Sequence, residues 1–284
     1  MFNSDDTIQG TLTALYVYPV KSCAGLALSQ ATLRTTGLAF DREWMVVDTN
    51  GHFLTQRSYP RMALIRPHIN AQENVNGLTL SAPGMQDLAL MEPKVPGSLT
   101  VKVWRDSVPA LDMGDEAAEW FSEFLGAACR LVRFDKQGRR LCDPAWTGGD
   151  GTNTYFADGF PLLVLSAAGV EQLNRRMGEA GREPVHVSRF RPNIVVSGWA
   201  AHAEDRLSAF NTPDAAFRFV KPCTRCAIPD IDPLTGRVSN RVNDILRLYR
   251  RDPRMKGALT FGMNAVITRG AGETLKIGQR VNGW

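Results

Sequence analysis

Glu43-Trp44-Met45-Val46-Val47-Asp48-Thr49-Asn50-Gly51-His52-Phe53-Leu54-Thr55-Gln56 reads as a strand, a turn and a returning strand. Trp and Val suit a pleated, half-buried surface, and Asn-Gly supplies the positive φ angles that a tight hairpin needs. The same texture extends outward on both sides. Thr11 to Tyr18 is β-branched and aromatic, Met62 to Ile65 follows Pro60, and Gly77 to Leu80 and Leu99 to Trp104 complete a run of short strands. Strands at this close, even spacing predict a small barrel or sandwich.

Helical signals arrive later. Glu116 to Leu125 predicts a helix, with Asp115 as its cap and Gly126 as its stop. Cys129 to Phe134 reads as a buried strand, and Lys136 to Gly159 as an aperiodic loop rich in Gly, Asp and Asn. A loop of that length is either a domain junction or a lid over a cleft, and the lid is the preferred reading. Pro161 to Ser166 predicts a strand, Ala167 to Gly178 an amphipathic helix, and Asn193 to Val196 another strand. Phe217 to Val220 leads into a cysteine loop, Asn243 to Arg250 predicts a short helix, and Ala265 to Ile267 and Leu275 to Ile277 late strands. The expectation is a mainly β chain of α+β class, in two modules with a few peripheral helices.

The bulk numbers agree. At 284 residues, with 44% apolar and 22% charged content, the chain has ample core for two modules or one large β-rich domain. A formal charge of +4 suits a small anionic ligand, and no basic cluster interleaved with aromatics marks a nucleic-acid groove. Five cysteines lack the spacing of a secreted disulfide framework, and Met1-Phe2-Asn3-Ser4-Asp5-Asp6 lacks a signal peptide's apolar core. No apolar run reaches the roughly 18 residues of a membrane span. The expectation is a cytoplasmic protein with free thiols, no membrane and no nucleic-acid partner; a monomer is the simplest assembly.

Chemistry concentrates in Phe219-Val220-Lys221-Pro222-Cys223-Thr224-Arg225-Cys226. Cationic neighbours favour the thiolate, the form that attacks electrophiles and binds soft metals. Pro222, Pro229 and Pro233 keep the region out of a regular helix, so both thiols are expected on a loop. Zinc would need further ligands, and His52, His68, His186 and His202 show no ligand spacing near this loop. A dithiol switch would prefer a helix start in a βαβ unit. A single thiolate holding a soft redox metal, or two plain thiols packed in a loop, remain beside these. Lys21 and Ser22, followed by Cys23-Ala24-Gly25, resemble a phosphate seat or, more simply, a solvated strand end. Arg42, Arg189 and Arg191 are surface ion-pair formers unless the fold gathers them into an anion clamp. Asp230 and Asp232 build turns beside Pro229 and Pro233. No nucleophile elbow, paired-histidine zinc motif, Walker loop or dinucleotide fingerprint is present.

Taken together, Val17-Tyr18-Pro19-Val20-Lys21-Ser22-Cys23, Gly37 to Trp44, Phe53 to Arg57, Phe190 to Ile194, Cys223 to Cys226, Asp232 to Gly236 and Phe261 to Asn264 resemble, in order from about Thr11 to Val281, the MOSC family (molybdenum cofactor sulfurase C-terminal domain). The likeness is to the branch of the mitochondrial amidoxime-reducing component and its bacterial relatives. It implies a β-barrel-like N-terminal domain over 7–126 and a MOSC β-barrel over 127–284, with the molybdenum-molybdopterin cofactor (Moco) in the cleft between them. By family pattern Cys226 ligates molybdenum and is the catalytic residue. Lys21, Ser22, Arg42 and Arg191 match cofactor contacts, as do Thr224 and Arg225. Asn264 stands at a contact position that is Tyr in the mammalian branch, and Cys223 is a neighbour of the ligand.

The implied reaction is two-electron reduction of a small N-hydroxylated substrate such as a hydroxylamine or amidoxime, independent of pyridoxal phosphate. Some bacterial relatives carry a ferredoxin module with a four-cysteine run. This chain offers no such run, so electrons are expected from a separate ferredoxin, flavoprotein or cytochrome-type donor. The alternatives are a sulfur carrier bearing a persulfide on Cys226 or Cys223, and a non-catalytic module binding metal or RNA.

Overall fold

A computed structural model describes residues 7–70, 77–90, 97–239 and 241–284. Its centre is a closed seven-stranded barrel. Around the ring run Leu162–Ser166, Ile194–Ser197, Ile8–Val17, Arg280–Gly283, Ala209–Asn211, Ala216–Thr224 and Ala258–Arg269, and the last pairs with the first. Strand Ile8–Val17 alternates burial along its second half, and Leu12, Leu15 and Val17 point inward against Val164, Ile194, Phe217, Ala265 and Val281. Each such side chain contributes about 1.5–3 kcal/mol on burial. The first strand of the chain is thus built into a barrel made by its last hundred-odd residues. Gln30–Arg34 adds a second stitch by pairing with Thr274–Lys276.

Beside the barrel lies a second β body. Trp44–Asp48, Cys129–Phe134, Asp106–Asp112 and Ser98–Val103 form one antiparallel sheet, and Arg66–Asn70, Gly77–Ser81 and Leu88–Leu90 another. Helix Asp115–Leu125 closes it, burying Trp120, Phe121 and Phe124 beside Leu78, Leu80 and Leu131. The mainly β class read from the sequence is what the structure shows. No helix among the described residues is long and apolar enough to cross a membrane.

Local differences have local causes. Helix Asp115–Leu125 is capped by Gly114 (φ 93°), because the Asp115 carboxylate accepts a 2.8 Å bond from Arg130 instead. Gly126 stops the helix as expected, in the left-handed region at φ 69°. Met62–Ile65 is not a strand: Pro60 starts a 3₁₀ turn over Pro60–Leu64 that buries Met62 and Ala63. The return segment after Asn50-Gly51 forms no strand and makes isolated bridges, Val47–Phe53 and His52–Lys102. Strand Ala216–Thr224 runs past Pro222, its register shifting at Phe219/Lys221 and Pro222/Thr224, so Cys223 lies on a strand and only Cys226 on the loop. Helix 243–250 contracts to Val242–Leu246.

Candidate functional site

Between the two β bodies opens a cleft of about 110 Å³. Every site residue expected from the sequence lines it: Lys21 and Ser22, Arg42, Arg191, Thr224, Arg225 and Cys226, and Asn264. Arg189 does not. It is buried away from the cleft against Asp232 (3.2 Å) and the Pro229 carbonyl.

One wall is built by the turn after strand Ile8–Val17. Lys21 N donates to the Trp44 carbonyl (2.8 Å), Cys23 N to the Val20 carbonyl (3.1 Å), and Gln56 Nε2 to the Ser22 carbonyl (2.7 Å). Gly25 is required here, since a Cβ would stand 2.4 Å from the Tyr18 ring. Burial pushes the Cys23 thiol up to about 12, so this thiol stays protonated.

Arg42 and Arg191 reach the cleft from opposite bodies and sandwich Tyr18, their guanidinium carbons 4.3 and 4.2 Å from its ring centroid. Arg42 Nη1 donates to Asn193 Oδ1 (3.2 Å), its Nη2 to the Arg191 carbonyl (3.2 Å), and Arg191 Nη1 to the Cys23 carbonyl (2.6 Å). Burial, reinforced by the Arg42 charge, lowers the Arg191 pKa to about 10. Ser22, Arg42 and Arg191 all sit at positive φ (66°, 49° and 56°). Non-glycine residues held there cost on the order of 1–3 kcal/mol each, a strain that clusters at ligand clamps.

On the facing wall, Cys226 is exposed on the loop that follows the strand, its carbonyl accepting from Asn243 Nδ2 (2.8 Å). Cys223 is half-buried and accepts from Arg225 Nη1 at 3.0 Å. Arg225 Nη2 donates to the Phe190 carbonyl (3.0 Å), while its buried Nε has no partner among the described residues. Asn264 Nδ2 donates to the Lys221 carbonyl (3.1 Å).

The sequence reading missed Asp158, which lies in the 136–159 loop and also lines the cleft. Its carboxylate accepts from Lys21 Nζ at 2.5 Å and from Trp104 Nε1 at 3.3 Å. Lys21 also donates to the Phe156 carbonyl (2.8 Å). Burial lowers the Lys21 pKa, opposed by the Asp158 charge. Surrounding protein disfavours the Asp158 carboxylate, but Lys21 outweighs this and holds its pKa below the usual range. The loop is anchored by Arg140, which donates to the carbonyls of Tyr155 (2.8 Å), Ala157 (2.5 Å) and Asp158 (3.2 Å) and pairs with Asp106. Tyr18, Gln56 and Asn193 lie within the matched motifs but were assigned no role there, and Asn243 was unmarked by any motif.

Chemically the cleft offers one buried and several half-buried cations, an unspent guanidinium N–H and one exposed thiol. That set fits an anionic group carrying a soft metal. No cluster of three or more His, Cys, Asp or Glu that could hold a metal occurs among the described residues. A metal at Cys226 would therefore arrive with ligands of its own.

Comparison with known proteins gives the following. Residues 9–128 match the family described as "MOSC N-terminal beta barrel domain", and residues 151–282 match "MOSC domain". The mouse mitochondrial amidoxime-reducing component 1 is 35% identical over 252 residues, covering 85% of this chain and 72% of that protein. The rat mitochondrial amidoxime reducing component 2 is 34% identical over 261 residues, covering 87% and 75%. A rice molybdenum cofactor sulfurase is 30% identical over 295 residues, covering 95% of this chain but only 35% of its own length.

Proposed function

The chain belongs to the MOSC family, and from that premise we propose that it is a molybdenum cofactor-dependent reductase of N-hydroxylated compounds, working with a separate electron donor. The observation that carries this reading is the convergence of Lys21, Arg42, Arg191, Asn264 and the exposed Cys226 thiol on one cleft, although the sequence scatters them from residue 21 to residue 264. Three of the lining residues are held at strained backbone angles. Backbone strain of this kind recurs at ligand clamps, which supports the reading.

The residues divide the work as follows. Lys21, Arg42 and Arg191 bind the anionic end of the cofactor; Lys21 is buried and the two arginines are half-buried, so their charges are less screened than on an open surface. Cys226 would supply one soft ligand from the facing wall of the cleft, and Asn243 fixes its backbone. Arg225 has an unspent Nε–H for the same group, and Thr224 and Asn264 line the wall beside it. When bound, the molybdenum cofactor would supply the two-electron redox chemistry, while the protein positions it and excludes competing reactions. In the net reaction the N–O bond of the substrate breaks; two electrons and two protons are taken up, and amine or amidine and water are released.

The test is metal and pterin analysis of protein made in a host that synthesises the cofactor, together with amidoxime reduction driven by reduced methyl viologen. Near-stoichiometric molybdenum, releasable pterin and dye-driven turnover are expected. Cyanide-labile sulfur without molybdenum would establish the sulfur-carrier alternative instead, and zinc without pterin a plain metal-binding module.

A further inference from the structure

The chain's excess positive charge is not spread over its surface. Residues 225–256 hold eight basic and four acidic side chains, a net +4 equal to the formal charge of the whole protein. Everything outside this segment balances to zero. The carboxylates within it are engaged: Asp232 by Arg189, Asp244 by Arg182 and Arg247, Asp252 by Arg254, and Asp230 by Asn243. Arg237, Arg241, Arg251 and Lys256 are exposed and have no carboxylate partner among the described residues.

The same segment carries three of the largest exposed aliphatic side chains, Leu234 (74%), Val238 (68%) and Leu248 (76%). Leu234 and Val238 belong to the loop that follows Cys226, and Leu248 follows the helix tied to that stretch. Val238 bridges to Ile231, and Ser239 N donates to the Asp230 carbonyl (2.7 Å), which folds the 232–239 loop back onto the stretch just after Cys226. Helix Val242–Leu246 is tied to that stretch by Asn243, which bonds both Cys226 and Asp230. Because Val242, Asn243, Ile245 and Leu246 are buried, Arg241, Arg247 and Leu248 form its outer face. The result is a set of exposed aliphatic side chains interspersed with exposed arginines on the segment that follows Cys226; Arg237 and Arg241 have no carboxylate partner among the described residues, while Arg247 pairs with Asp244.

We propose that this face is the docking surface for an acidic one-electron carrier protein. This rests on the reductase reading, which requires a donor. Apolar side chains with Arg at the centre and charge at the rim are the composition of a protein interface, and clustered charge steers the encounter of opposite partners. Nucleic acid would call for exposed aromatics on which bases stack, and the exposed residues of this segment include none. Each docking delivers one electron and leaves the carrier oxidised. Two dockings and two protons from solvent convert R–NHOH to R–NH₂ and water.

The experiment uses the loaded protein, its Arg237→Glu/Arg241→Glu/Arg247→Glu variant and the matching Gln set. The affinity of each for a small acidic [2Fe–2S] ferredoxin is measured at low and raised salt, and amidoxime turnover is measured with reduced methyl viologen. Wild type should bind the ferredoxin and weaken several-fold with salt. The Glu set should lose more than tenfold in affinity, the Gln set less, with both keeping dye-driven turnover and the wild-type melting temperature. Unchanged ferredoxin affinity in a dye-active Glu variant overturns the docking surface alone. A wild type inert toward the dye overturns the reductase reading instead. Binding of RNA or anionic vesicles, but not ferredoxin, that the Glu set abolishes assigns the face to those partners and overturns the proposal.

Discussion

Lys21 Nζ and Asp158 Oδ1 lie 2.5 Å apart, one side chain almost wholly buried and the other 69% exposed. The pair is lopsided. The ammonium bears the desolvation cost, while the carboxylate could be solvated without its partner. On the proposed function, Lys21 serves anion binding at the expense of stability.

Lys21→Met keeps the stem that packs beside Phe53 and removes the buried charge. Its melting temperature should be no lower than that of wild type, while its molybdenum and pterin content falls several-fold. A drop of several degrees with cofactor content intact would assign Lys21 a structural role.

Glu43 and Arg133 form a pair that is buried on both sides, at 3.1 Å, with Lys136 at 3.2 Å. Glu43 Oε1 also accepts from Phe40 N (3.1 Å), holding the turn whose Phe40 and Arg42 stand at positive φ. Burial opposes the charge on Glu43, but Lys136 and Arg133 outweigh it and the pKa is lowered. A depressed carboxylate contributes stability that is present above its unfolded value and lost as pH falls through the folded one. Thermal melts should therefore show stability declining below about pH 4.3. Glu43→Gln, which removes the buried carboxylate that pairs with Arg133 and Lys136, should cost about 3–5 kcal/mol at pH 7 and flatten that acid limb. A variant as stable as wild type at pH 7 would contradict this account of the turn.

The Tyr18 hydroxyl is buried without a hydrogen-bond partner among the described residues, and burial raises its pKa. Only the ring, between two guanidinium groups, is in use. Tyr18→Phe should thus leave the melting temperature unchanged or raise it, since an unsatisfied buried hydroxyl costs roughly 1–3 kcal/mol. Cofactor content should be retained. Marked destabilisation would mean that the hydroxyl is bonded in solution.

Much of this was legible in the sequence. The β class follows from the hairpin at Asn50-Gly51 and the evenly spaced strands, and the cleft residues follow from the order of their motifs. Local physics hid the rest. Four apolar residues, Met62 to Ile65, have no period that separates a strand from a turn, and Pro60 decided for the turn. Asp158 sits in an aperiodic Gly/Asp/Asn run, where nothing distinguishes a cleft-lining carboxylate from a loop residue. Tyr18 directly follows strand Ile8–Val17 and reads in the sequence as its continuation, so its stacking with Arg42 and Arg191 exists only in three dimensions. The pairing of Ile8–Val17 with Ile194–Ser197 and Arg280–Gly283 is likewise a long-range contact that no local pattern records.

The central claim is that Cys226 ligates a metal held in the cleft, with Cys223 a bystander hydrogen-bonded to Arg225. X-ray absorption at the molybdenum edge of wild type, Cys226→Ser and Cys223→Ser measures this directly. The account predicts one fewer sulfur neighbour in Cys226→Ser and an unchanged shell in Cys223→Ser. An identical molybdenum shell in wild type and Cys226→Ser would contradict it.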